Sequence, residues 1–261
     1  MRNTLFFLIL LTTFCEAKPA ILVATLPKSG TAYICQALCQ TTHLQAYREA
    51  DPLPFPFGKF ENQNFDQLMS KGCVIVNHYP PTEENIERIS RYMDRVIVHI
   101  RDPRECVLSV VHHVAIDLAN HYDEEKEVAR TVGLSLVYPD YYKLNLEQKI
   151  DWHIDHFIPN AVSWIEHWLE FIDQQDKIKV LVTSYSDLRE CPFDFFSSIL
   201  AFSGLSREKL KTKHLPMPEK GKLHYRKGDS QEWRAVLTAE QQRRATALIP
   251  EHYFQRFGWV K

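Results

Sequence analysis

A single α/β domain, built as a three-layer α/β/α sandwich around a mainly parallel sheet, is what this sequence predicts, on three observations. Four short runs are predominantly apolar and rich in β-branched residues: ILVATL (Ile21 to Leu26), CVIVNHY (Cys73 to Tyr79), RVIVHIR (Arg95 to Arg101) and IKVLVTSY (Ile178 to Tyr185). Such runs suit strands covered on both faces, as those of parallel sheets are. A helical stretch follows each of them, at Thr31 to Thr41, Glu83 to Met93, Pro103 to Ala119 and Pro192 to Phe202. Punctuation marks the boundaries: Asp102-Pro103-Arg104-Glu105 sets an N-cap acid, a proline at the first helical position and a glutamate at the third, directly after a strand.

The elements are justified in chain order. MRNTLFFLILLTTFCEAKPA carries one early positive charge, Arg2, an apolar core from Leu5 to Leu11 and a small residue, Ala17. That run is short for a bilayer span, so residues 1–17 read as a secretory signal peptide, with a short membrane anchor as the alternative. The expected location is the secretory pathway, secreted or periplasmic, with transient membrane association through the N-terminus; without a signal peptide it is the cytoplasm. After the first two strands and their helices comes RVIVHIR with its capped helix, then a long helix from Leu146 to Ile172, whose Trp152, Phe157, Val162, Ile165 and Trp168 recur at helical spacing and read as core. Two stretches, Asp51 to Phe60 and His214 to Gln231, fit neither period and are expected to be functional loops.

Composition narrows the function. Lys and Arg total 31 against 33 Asp and Glu, a net charge of −2, which excludes a general nucleic-acid binder and makes any anion site local. Without Cys15 the cysteines are Cys35, Cys39, Cys73, Cys106 and Cys191, an odd number with no framework spacing and no zinc-type pairing, so no metal is expected.

The local site suggests itself at LPKSGTAYI. A strand ending at Leu26 and a helix starting near Thr31 would bring unpaired first-turn amides and the positive end of the helix dipole together. Gly30 permits close backbone approach, Ser29 and Thr31 offer hydroxyls, and Lys28 adds a charge. This is a P-loop-like cradle, although the Walker pattern GxxxxGK[ST] is absent, which disfavours a kinase.

LPKSGTAYI resembles the PKSGTTW loop that grips the 5′-phosphosulfate in sulfotransferases using 3′-phosphoadenosine-5′-phosphosulfate (PAPS), with Ala32 and Tyr33 in place of the second threonine and the tryptophan. HIRDPRECVLSVVHH supplies Arg101 and, eight residues on, Ser109, similar to the family's 3′-phosphate motif. YRKGDSQEWR resembles its RKGxxGDW segment through Arg226, Lys227, Gly228 and Trp233. VTSYSDL places Tyr185 where the family's adenine-contacting tyrosine stands. VNHYP sets His78 at the position of the histidine in the family's Lys-Thr-His-Leu-Pro pattern, with Val76 replacing the lysine.

The resemblance implies one sulfotransferase domain over residues 18–261, with PAPS as co-substrate and a sulfuryl group moved to a hydroxyl or amine of a small molecule or glycan. It implies Lys28 stabilising the leaving 5′-phosphate oxygen, His78 as general base and Ser109 assisting. It further implies donor contacts from Lys28, Ser29, Gly30, Thr31, Ala32, Tyr33, Arg101, Ser109, Tyr185, Arg226, Lys227 and Gly228. The donor carries roughly four negative charges at neutral pH, so concentrated cations must hold it. The rival readings are a non-catalytic relative that binds nucleotide or a sulfated ligand, and a small ATP-dependent kinase.

Overall fold

The computed structural model describes residues 19–47, 55, 56, 58–60, 71–120, 141–175, 177–211, 215 and 231–261. Residues 1–17, most of the two irregular stretches, and Arg226, Lys227 and Gly228 lie outside the described residues.

Five strands form the sheet: β1 (Ala20–Thr25), β2 (Gln45–Tyr47), β3 (Cys73–Asn77), β4 (Arg95–Ile100) and β5 (Lys179–Ser184). Their order is β2-β3-β1-β4-β5 and every pairing among them is parallel. Four of them coincide with the apolar runs. β2, only three residues long and partly exposed, carries no such run, and joins the sheet through backbone pairing with β3 and the packing of Tyr47 against the core.

Alternation along the strands divides the core in two, because successive side chains point to opposite faces. Ile21, Val23, Val74 and Ile97 join one cluster with Ile34, Ala37 and Leu38 of α1 (Thr31–Thr42). On the same side of the sheet, Phe196 and Ile199 come from a second helix, Pro192–Phe202. Leu22, Ala24, Ile75, Val96 and Val98 join the other cluster, beneath the helices Pro103–Asn120 and Leu146–Gln174. Both faces of the central strands β1, β3 and β4 are therefore covered, whereas the edge strand β5, expected from its apolar run to be covered too, leaves Val182 36% exposed.

The remaining helices follow the same physics. α2 (Glu83–Ser90) is capped by Thr82, and α3 (Pro103–Asn120) by Asp102, whose Oδ1 accepts from the Arg104 amide at 2.9 Å. α4 (Leu146–Gln174) opens on a capping box between Asn145 and Gln148. Its Trp164 and Trp168 indoles both donate to the Tyr79 carbonyl, each at 3.1 Å, pinning the chain one residue past His78. β5 was expected to run through Tyr185, but it stops at Ser184. The Ser184 hydroxyl accepts from the Asp187 amide at 3.1 Å and starts α5 (Tyr185–Glu190), so Tyr185 is a first-turn helical residue. After α6 (Pro192–Phe202) come α7 (Glu208–Lys211), α8 (Glu232–Val236), α9 (Ala239–Ala247) and α10 (Glu251–Phe257).

Because β1, β3, β4 and β5 are parallel, their carboxyl ends open on one edge. The order β3-β1-β4 reverses direction around β1, which is where open α/β sheets bind ligands. Lys28, His78, Arg101 and Tyr185 each stand just past one of those strand ends.

Candidate active site

The turn after β1 holds its carbonyls inward. Leu26 accepts from the Ser29 hydroxyl at 2.6 Å and the Ser29 amide at 3.2 Å. Lys28 carbonyl accepts from Arg101 Nη1 at 2.8 Å, and Ser29 carbonyl pairs with His99 Nε2 at 3.0 Å. A carbonyl only accepts, so His99 carries its proton on Nε2 and takes the Thr183 hydroxyl on Nδ1, 2.9 Å away. Burial lowers the His99 pKa to about 4, keeping it neutral beneath the turn. The Leu26, Lys28 and Ser29 carbonyls are thus all occupied by donors from within the fold.

Gly30 is the N-cap of α1 at φ 97° and ψ 19°, with no side-chain cap and no acid in the first turn. The amides of residues 31–33 have no intrahelical acceptor and the dipole there is uncompensated, so an anion is the fitting partner. Lys28 itself is left-handed at φ 66°, a conformation that bulky residues avoid. A β-carbon at Gly30 would lie 3.2 Å from Leu188 Cδ2 and 3.7 Å from Tyr185 Cε2. Gly30→Ala should therefore lower stability by about 1–3 kcal/mol, measured by denaturant unfolding; an unchanged midpoint would show that the turn is not constrained.

His78 joins this turn from β3. Its Nδ1 lies 2.8 Å from the Thr25 carbonyl and 3.2 Å from the Thr25 hydroxyl, which is itself 3.0 Å from the Thr31 hydroxyl. The carbonyl fixes the proton on Nδ1, so Nε2 bears the lone pair a base needs. Burial, with a smaller effect from the nearby Lys28 ammonium, lowers the His78 pKa from its ordinary 6.5 to about 4. In the ligand-free protein an NMR titration of the His78 imidazole should show a midpoint at about 4. Unfolded histidine gains a proton near 6.5, whereas His78 and His99 resist until about 4; stability should thus fall as pH drops through that window.

Arg101, 6% exposed, donates from Nε to Glu105 Oε2 at 3.0 Å and lies 3.9 Å above the Tyr185 ring. Its Nη2 has no partner among the described residues. Arg101 does not itself line a cavity of about 340 Å³ that opens on the side of its two partners, Glu105 and Tyr185, where Asp102, Glu190, Arg189 and Arg234 supply charges of both signs. Tyr33, named above as a donor contact, sets its ring edge-on to Phe196, centroids 6.0 Å apart. Ser29, expected to offer its hydroxyl to an anion, uses it inside the turn. Ser109 sits half-buried on α3, one turn beyond Glu105, and bonds no described side chain. Phe55 stands edge-on to His78 at 6.4 Å and tilted against Phe157 at 6.0 Å, an apolar wall on the other side of the histidine.

Thr25, His99, Glu105, Arg189 and Arg234 are site-forming residues that sequence reasoning did not single out for this role. Only Arg234, adjacent to the matched Trp233, offered a signal.

Fold and site define a parallel α/β protein with an uncapped helix start after β1, a neutral buried histidine beside it and a cavity of mixed charge at one sheet edge. The chain belongs to the sulfotransferase domain family, whose model matches residues 18–256. No curated protein matches it. Among solved structures it is similar to a mouse sulfotransferase, SULT7A1, complexed with PAP (15% identity, TM-score 0.56, covering 92% of this chain and 84% of that one). It is also similar to a retinol dehydratase in complex with androsterone and the inactive cofactor PAP (16% identity, TM-score 0.55, covering 88% and 79%). The five-stranded parallel sheet flanked by helices is the fold of these neighbours.

Proposed function

We propose that the chain transfers a sulfuryl group from PAPS to an acceptor hydroxyl or amine. The observation that carries this reading is the turn at 26–30, its carbonyls occupied and the following helix start uncapped, joined through Thr25 to a histidine with a bare Nε2. The residues fit the donor: first-turn amides and Lys28 for the phosphosulfate, Arg101 Nη2 for the ribose phosphate. PAPS, when bound, supplies an activated sulfuryl group whose departure leaves charge on a 5′-phosphate oxygen, and the two relatives named above were solved with PAP.

Lys28 neutralises that charge as it develops. His78 Nε2 accepts the acceptor's proton, while Thr25 holds Nδ1–H and so the ring orientation. Phe55 and Phe157 form an apolar face beside His78 on which the carbon frame of an acceptor lies. The resemblance assigns Arg226, Lys227 and Gly228, outside the described residues, to the 3′-phosphate as well, and Ser109 to an assisting role.

The test is incubation of the protein with labelled PAPS and a panel of phenols, sterols, glycans and tyrosine peptides. Label should pass to at least one class without ATP or magnesium. Absence of transfer alongside PAP binding would leave a binding protein instead.

A further inference from the structure

At the start of α3 the glutamate at the third position is not used as a cap. Asp102 caps the helix and grips the buried Arg104, with Arg104 Nη2 to Asp102 Oδ2 at 2.6 Å. Glu105 is thereby released from the capping role and turns to Arg101, where the pair is sequestered at 6% and 15% side-chain exposure. Glu105, unlike Arg101, also lines the cavity. The charges around it come from every neighbouring element: Arg101 at the end of β4, Asp102 and Arg104 at its own helix start, Arg189 and Glu190 on α5, and Arg234 on α8.

We infer that Glu105 is the protein's own stand-in for the donor's 3′-phosphate: it occupies Arg101 in the empty site, and an arriving phosphate brings with it one proton from solvent that settles on the Glu105 carboxylate. This rests on the donor reading above. The alternative arrangement would leave a carboxylate and a phosphate dianion against one guanidinium, and like charges sharing one cation disfavour ionisation of the group that holds its proton more tightly, here the buried Glu105 carboxyl. Burial already pushes Glu105 up to about 7, with Asp102 adding to it and Arg101 opposing it. Little further field is needed to hold the proton at neutral pH. The direction is diagnostic. A phosphate monoester meeting a guanidinium sheds its second proton, whose pKa is near 6, so the ligand's own ionisation works in the opposite sense.

The test uses the whole chain and adenosine 3′,5′-bisphosphate as probe, with calorimetry at pH 7.5 in buffers of different ionisation enthalpy. The wild-type protein should take up about half a proton or more per nucleotide bound, and its affinity should weaken several-fold from pH 7.5 to 8.5. Glu105→Gln, which keeps the hydrogen-bonding shape at Arg101, should bind with no uptake and a flat pH profile. Binding without uptake in the wild type, or uptake that persists in the glutamine variant, overturns the inference while leaving the donor reading intact. No binding at any pH overturns the donor reading itself. If the variant fails to fold, the carboxyl carbon resonance of Glu105 in the wild type decides: it should move from a partly ionised to a protonated position on nucleotide addition, and a shift towards the ionised position refutes the proposal.

Discussion

Lys28→Ala should lower turnover by about 10²–10³-fold, the loss seen when one preorganised stabiliser of transition-state charge is removed. The argument rests on placement. The Lys28 carbonyl is held by Arg101, its backbone is left-handed at φ 66°, and its ammonium lies close enough to His78 to lower that ring's pKa. A fold this specific at a non-glycine residue stores strain where charge must be delivered. Lys28→Gly separates the two roles. Glycine adopts that φ freely, so it should raise stability by about 1 kcal/mol while turnover falls as in the alanine variant. Single-turnover transfer from PAPS, with unfolding measured in parallel, checks both. Retained turnover in the glycine variant would remove Lys28 from the chemistry.

His78→Ala should cost about 10²–10⁴-fold in turnover and leave nucleotide affinity nearly unchanged, because a general base acts on the acceptor's proton and not on the donor's phosphates. Geometry makes this specific to Nε2. Thr25 fixes Nδ1–H, the two indoles of α4 fix the carbonyl of Tyr79, and Phe55 closes one side of the ring. The depressed pKa, about 4, means the imidazole is neutral throughout the physiological range and available as a base at once. A weaker base transfers more slowly, so the anionic donor next to it should raise that pKa in the complex and improve its match to the task. Equal loss of turnover and PAP affinity in the variant would mark His78 as a structural residue.

Much of the local structure around this site was legible in the sequence, and what was missed is partly long-range pairing and partly a choice between competing local partners. The anion turn declared itself because a strand, a glycine and a helix start adjoin within ten residues. The α3 cap was read correctly at Asp102, yet Glu105 was assigned to the same cap. Nothing local reveals that Arg101, four residues earlier, captures it at 3.0 Å. His99 looked like part of an apolar strand, although its ring supports the Ser29 carbonyl 70 residues away. Tyr185 was read as the end of a strand because its neighbours are β-branched, whereas the Ser184–Asp187 capping box ends the strand one residue sooner.

The sequence by itself determined the local structures, since apolar period, caps and glycine placement act between residues a few positions apart: four of the five strands, the main helices and the turn at 26–30. Only the tertiary structure decided which of these meet. The parallel order β3-β1-β4-β5 brings Thr25 to His78, Lys28 and Ser29 to Arg101 and His99, and Tyr185 to the far face of that guanidinium. Buried donors and acceptors must be paired wherever the chain returns, and that return is set by the order of strands in the sheet, which no short stretch of sequence encodes.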